Sequence, residues 1–167
     1  MGFVMTPLVM ISRLLGLIRT DGRSAVHVFT SKLSSWKRIG DFGYFIIRAL
    51  PGAVLNGAPH WFAGGDTDGV YTNFIKAIVC FDVMEEKFKE VPMPKIFECE
   101  HIYFDLGVLG GCLCGVYNSW ESHSDVWVMK EYGVKESWIK LLVIPNVQGE
   151  FCFRYIRVLD TERMERS

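Results

Sequence analysis

The chain has 167 residues, half of them apolar and 22% charged, which suits one domain with a buried core and excludes global disorder. Its net charge is −1 and no Lys/Arg run exceeds two residues. A nucleic-acid footprint needs clustered basic side chains to meet phosphates, so no nucleic-acid partner is expected. Five cysteines, an odd number, and no Asn-x-Ser/Thr sequon fit a reducing compartment, cytoplasm or nucleus, better than secretion.

Met1–Ile18 is apolar but is interrupted by Pro7 and Arg13. A spanning helix wants about 20 uninterrupted apolar residues, and no small-residue cleavage site follows. Met1-Gly2-Phe3-Val4-Met5-Thr6 meets the loose acylation pattern, which is short, and a bulky Phe follows its glycine. No membrane partner is expected. Gly2, Pro7 and Gly16 also oppose a helix here.

Three segments then share one grammar. Val26–Phe29 leads through a polar turn to Trp36–Ile39, and Ile78–Phe81 leads through Asp82–Lys87 to Phe88–Val91. Asp125–Lys130 leads through a longer connection with Tyr132-Gly133 to Ser137–Leu141. Each predicts an apolar strand, a turn and a second strand opening on an aromatic residue. The closing aromatics Trp36, Phe88 and Trp138 are 52 and 50 residues apart. Phe29 and Phe81 each precede their aromatic by seven, whereas Trp127 precedes Trp138 by eleven, which reads as a four-residue insertion. Between the hairpins, Asn56-Gly57 and Gly110-Gly111 lie 54 apart, each between short apolar runs. They predict tight turns of positive φ.

A period near 50 with four short strands per unit is the pattern of kelch-type propeller blades. The expected fold is therefore all-β: a partial kelch-like β-propeller of about three four-stranded blades, mostly antiparallel. Residues 1–160 form that domain, 161–167 a polar tail, and Phe151–Ile156 starts another blade.

The stretches Val54–Val70, Ala77–Pro94, Gly107–Asn118, Asp125–Leu141 and Val26–Phe42 resemble plant F-box-associated propeller domains. The resemblance runs in order from about Val26 to Leu159, and DVWVMKEYGVKESW is its most specific string. Gly2-Phe3-Val4-Met5-Thr6-Pro7 and Ile11–Leu15 stand where the family carries a turn and a strand. The resemblance implies a protein-binding, substrate-recognition module of an SCF-type ubiquitin ligase, acting in ubiquitin-dependent degradation. Its partners would be an unknown target protein and, only if an F-box is supplied elsewhere, a Skp-type adaptor and cullin. The family's helical F-box has no counterpart in these residues. The alternative is a truncated interaction domain, or a fragment, that binds no adaptor.

No catalytic constellation is expected, and the chain is read as a non-enzyme. It has no nucleophile elbow and no papain-like surround. A secreted kelch-type oxidase would need a signal peptide and converging metal ligands. His27 and His60 read as hydrogen-bonded structural histidines, and Glu98-Cys99-Glu100-His101 as a solvated loop whose side chains diverge. Gly64–Gly69 lacks the ligands of a calcium loop. Cys112 and Cys114 share a strand face but have no second pair at zinc spacing. No cofactor or metal is expected. The candidate partner-binding segments are the loops Gly64–Asn73, Lys95–Tyr103 and Tyr117–Ser124. They carry Asp66, Asp68, Tyr71, Tyr117 and Trp120, since aromatic anchors dominate interfaces. Packing between blades is an equal reading for Tyr117 and Trp120.

Overall fold

A computed structural model of the chain describes residues 12–20, 23–47, 52–67, 70–97, 104–118, 123–145 and 158. Among them there is no α-helix, only strands, turns and two short 3-10 turns. The strands fall into three antiparallel sheets that stack as successive blades.

The first sheet is β1 (Arg13–Thr20), β2 (Arg23–Thr30) and β3 (Ser35–Phe42), in that order. The second contains β4 (Phe45–Ile46), β5 (Ala53–Leu55), β6 (Ala58–Thr67), β7 (Val70–Asp82) and β8 (Lys87–Val91). There β5 and β4 share one edge of β6, pairing with its first and second halves. The third is a four-stranded meander of β9 (Phe104–Leu109), β10 (Cys112–Asn118), β11 (His123–Met129) and β12 (Trp138–Pro145). Among the described residues the expected four-stranded plan thus holds for the third sheet, gains a split edge strand in the second, and shows three strands in the first.

Local chemistry explains the turns. Asn56 and Gly57 have φ of 51° and 75°, and Gly110 and Gly111 have φ of 57° and 76°. Only such residues accept two successive positive φ values without a Cβ clash, as a two-residue hairpin requires. The β7–β8 turn is held instead by a carboxylate. Asp82 Oδ1 accepts from the N–H groups of Met84 and Glu85 at 2.9 Å each, and Oδ2 accepts from Lys89 Nζ at 2.7 Å.

The hairpin pairs Phe29–Trp36 and Phe81–Phe88 are directly opposed across their strands. The third hairpin corrects the sequence reading: Met129, not Trp127, faces Trp138, and Trp127 faces Lys140. The insertion is therefore two residues, not four. A register shift at Val126/Trp127 matches the one at Val26/His27 in the first sheet. Met129 fills the aromatic position because an unbranched thioether packs against an indole as well as a ring does.

The middle sheet is buried on both faces, which is why Ala77–Phe81 reads as one apolar run rather than an alternation. Towards the first sheet, Phe81 meets Val26 and Val28, with Leu15, Leu17, Phe42 and Phe88 around them. Towards the third, Ile78, Cys80 and Phe62 meet Leu106, Leu113, Met129 and Trp138. Phe97, at the end of the 3-10 turn Lys95–Phe97, is fully buried at that junction. Its ring centroid lies 4.9 Å from Phe104, 5.4 Å from Trp138 and 5.9 Å from Phe62, all edge-on. Burying such a ring contributes about 1.5–3 kcal/mol. The start of a further blade at Phe151–Ile156 lies outside the described residues.

Candidate protein-interaction surface

In the second and third sheets the chain meanders through β5–β6–β7–β8 and β9–β10–β11–β12, so the β6–β7 and β10–β11 connections lie opposite the two-residue turns. Two contacts between sheets align the blades. Arg13, at the start of β1, donates to Val83 O at 2.9 Å and pairs with Glu86, both in the β7–β8 turn. Tyr132, in the β11–β12 connection, reaches His60 beside the β5–β6 turn, at 2.7 Å from Nε2. These connections share one end of the stack. The β6–β7 and β10–β11 turns therefore emerge together at the other end.

That topology brings Asp66, Tyr71 and Tyr117 to one end. Asp66 and Tyr71 are cross-strand partners near the tip of the β6–β7 hairpin. The supposed loop Gly64–Asn73 is mostly strand, with β6 running to Thr67 and β7 beginning at Val70; Asp68 lies outside the described residues. A Gly/Asp run reads as a turn from sequence, but here the ladder extends through it, with register shifts at Gly64. Tyr117 stands on β10, half-buried, its ring 4.9 Å from that of Phe104. Trp120 lies outside the described residues.

Beneath the β10–β11 turn is a polar cluster that sequence reasoning missed. The Ser124 hydroxyl donates to Asn118 Oδ1 at 3.0 Å, both residues buried. Asp125 is buried too, and its Oδ2 meets Lys140 Nζ at 2.7 Å. Its Oδ1 lies 3.5 Å from His123 Nε2 and makes no hydrogen bond. Lys140 Nζ also sits 5.6 Å from the centre of the Trp127 ring, whose buried Nε1 has no partner. Only the register of β10, β11 and β12 puts Tyr117, Asp125 and Lys140 on one face, facing the middle sheet. The sole hint in sequence was the Asp opening DVWVMK.

His123 and Asp125 are near one another, but the neighbouring Ser124 hydroxyl is committed to Asn118 and points to the opposite face of β11. Among the described residues no three His, Cys, Asp or Glu side chains are grouped to hold a metal ion. Separately, a cleft of about 590 Å³ opens between β1 and β4–β6, walled by Leu15, Leu17, Phe45, Ile46 and Trp61. The Arg19 guanidinium lies 4.4 Å over the Phe45 ring at its margin. Among the described residues no helix is long and apolar enough to cross a membrane.

Comparison with known proteins places this architecture. The model of the F-box associated beta propeller domain matches residues 11–163. The chain is similar to the F-box protein CPR1 of Arabidopsis thaliana, 33% identical over 147 residues, covering 80% of this chain and 35% of that protein. It is 34% identical over 111 residues to the Arabidopsis F-box protein At3g07870, covering 66% of this chain and 26% of that protein. It is 29% identical over 123 residues to the Arabidopsis F-box/kelch-repeat protein At3g23880, covering 72% and 32%. The chain thus spans between about a quarter and a third of the length of these relatives. With its strand order, paired turns and blade-on-blade core, the chain belongs to the F-box-associated β-propeller domain family.

Proposed function

We propose that the chain is the substrate-recognition module of an SCF-type ubiquitin ligase, a non-catalytic domain that holds a target protein for ubiquitin-dependent degradation. The observation that carries this reading is the family match across residues 11–163, together with relatives whose names are those of F-box proteins. Recognition of this kind works by positioning, raising the target's effective concentration near the ligase. We assign target contact to the end of the stack bearing the β6–β7 and β10–β11 turns, with Asp66, Asp68, Tyr71, Tyr117 and Trp120 as its contact residues. The Skp-type adaptor and cullin enter only through an F-box supplied with this domain, and the site of action is cytoplasmic or nuclear.

Two measurements test this. The chain is co-expressed with a Skp-type adaptor and cullin beside intact F-box protein CPR1. An isolated recognition module fails to co-purify while the relative succeeds; co-purification of the chain overturns the reading of its residues as propeller alone. Proximity labelling in plant cells then compares the chain with its Asp66→Asn/Tyr71→Ala variant. The expected result is a set of proteins labelled by the wild type and lost from the variant. An identical set from both overturns the assignment of this end.

A further inference from the structure

The outer strands of the first and third sheets, β3 and β12, match residue for residue. Trp36 lies opposite Phe29 and Trp138 opposite Met129, and both sheets shift register at the same place, Val26/His27 and Val126/Trp127. Lys37, Gly40 and Asp41 of β3 therefore correspond to Ile139, Leu142 and Val143 of β12. The first sheet has a charged rim, with Lys37 exposed and Arg38 paired with Asp41. The third has an apolar one: Ile139 is 41%, Leu142 44% and Val143 53% exposed. The outer strand of the second sheet, β8, carries Lys87, Lys89 and Glu90. A neighbouring sheet does not hide these positions. Val143 stands opposite Asp125, on the face that the second sheet already covers. Lys37 and Gly40 stand opposite Val28 and Val26, on the face packed against the second sheet, and stay exposed beside it. Lys140, the one charge of β12, is turned to Asp125 at 2.7 Å. Among the described residues no strand pairs with the far edge of β12.

We propose that the edge of β12 is a docking site for the target, at which an extended apolar segment of the bound protein joins the third sheet as a further strand. The proposal rests on the reading of the chain as a recognition module and names the chemistry of what it recognises. An edge strand presents a row of N–H and C=O groups that proteins guard with charge when the edge is to stay single. The first two sheets carry that guard, and β12 has lost it at three positions. Strand addition draws affinity from main-chain bonds and specificity from alternate side chains. Ile139 and Leu142 lie on one face and Val143 on the other, so the segment they fit is apolar on both faces. With Lys140 committed to Asp125, the edge has no charge that would select an acidic or basic peptide. Pro145 has no N–H and ends the ladder, which leaves Trp138–Ile144, a stretch of about 23 Å, for pairing. Ile144 and Pro145 pair with Ser124 and His123, beside the β10–β11 turn. The docked strand thus runs on into the end of the stack assigned to target contact. One added strand is a small contact of the transient kind.

Short random peptides displayed on phage, selected against the full chain, test the proposal. Enriched sequences are made as labelled peptides and titrated by fluorescence anisotropy. They are expected to be rich in β-branched and aromatic residues. Val143→Lys and Ile139→Lys are expected to weaken their binding by about tenfold or more, the loss that follows truncation of a central interface side chain. Both replace exposed side chains, and circular dichroism checks that each variant is folded. Met84→Lys, equally exposed but in the β7–β8 turn, is expected to bind as the wild type does. Bound peptide is expected to slow hydrogen exchange of the β12 amides, which adhesion by side chains alone would not do. The proposal is overturned if no peptide is enriched, if both variants bind normally, or if the β12 amides stay unprotected. It is overturned too if the wild type alone dimerises in sedimentation velocity and Val143→Lys does not, because the edge then belongs to a second copy. Proximity labelling separates this from the recognition reading. Labelling lost in Asp66→Asn/Tyr71→Ala but kept in Val143→Lys overturns the edge and leaves recognition standing. Peptide binding at β12 by a chain that labels no protein in cells keeps the edge and overturns the recognition reading.

Discussion

The Tyr132 hydroxyl donates to Nε2 of buried His60 at 2.7 Å, tying two sheets together across 72 residues of sequence. The direction follows from the other ring nitrogen. His60 Nδ1 lies 2.8 Å from Ala58 O, a carbonyl that only accepts, so Nδ1 carries the proton and Nε2 is left to accept. The two rings meet edge-on with centroids 5.7 Å apart. Burial, with a lesser contribution from Cys80, the cross-strand partner of His60, pushes ionisation of Tyr132 upward. A buried imidazole on one sheet and a half-exposed phenol from the next thus share one polar link at the edge of an apolar junction.

Removing that hydroxyl strands the imidazole. Tyr132→Phe keeps the ring packing but leaves Nε2 of a buried histidine without a donor, a loss of about 1–3 kcal/mol. For a domain of this size the melting temperature should fall by roughly 2–10 °C. Thermal unfolding followed by circular dichroism reads it directly. An unchanged melting temperature means water replaces the phenol and the link is dispensable.

The same histidine sets a pH dependence. Burial lowers the His60 pKa below the ordinary histidine value of 6.5, against smaller upward contributions from backbone carbonyls. The unfolded chain therefore takes up a proton near pH 6.5 that the folded chain still refuses. The stability this confers is complete above 6.5 and is lost as pH falls from there towards the lower folded pKa. Urea unfolding between pH 7.5 and 5.5 should give a declining free energy in the wild type and a flatter profile in His60→Gln. Parallel profiles would assign the slope to other groups.

What the sequence disclosed was what lies close along the chain. Asn56-Gly57 and Gly110-Gly111 announce positive φ by residue type, and the Phe29–Trp36 and Phe81–Phe88 hairpins follow from short spacing and polar turns. The third hairpin misleads because pairing aromatic with aromatic selects Trp127, while the register selects Met129. His60 is hydrogen-bonded and structural, as expected, but its partner is 72 residues away and no local pattern names it. Asp125 and Lys140 meet only once β11 and β12 are in register. Phe97 sits in a segment whose polar neighbours read as a solvated loop, yet it is fully buried among four other aromatic rings.

Phe97 makes a second stability test. A Cβ built on Gly115 of β10 would lie 2.6 Å from the Phe97 ring, closer than any van der Waals contact. The ring is hemmed in by Phe62, Phe104, Trp127 and Trp138, so it has little room to retreat. Gly115→Ala should destabilise by about 1–3 kcal/mol through overpacking. Phe97→Leu, which shortens the obstructing group, should cost less in the Gly115→Ala background than in the wild type. A double-mutant cycle in urea measures that coupling, and additive effects would show that the backbone, not the ring, absorbs the added methyl group.

The two cysteines of β10 should differ in reactivity although they share a strand face. Cys114 is fully buried, and its thiol is pushed up to about 12, first by burial and then by the nearby Asp105 carboxylate. At pH 8 about one Cys114 in ten thousand would be thiolate, and only the thiolate attacks an alkylating reagent. Cys112 lies at the turn end of the strand and is half-buried. Iodoacetamide followed by peptide mapping should therefore label Cys112 in the native chain at least tenfold faster than Cys114. Labelling of Cys114 should rise sharply in denaturing urea, where its pKa returns to the ordinary thiol range. Equal native rates at the two positions would mean that the edge formed by β9 and β10 opens freely. In that case the third sheet would be too loosely held for the Tyr132–His60 link to govern its junction.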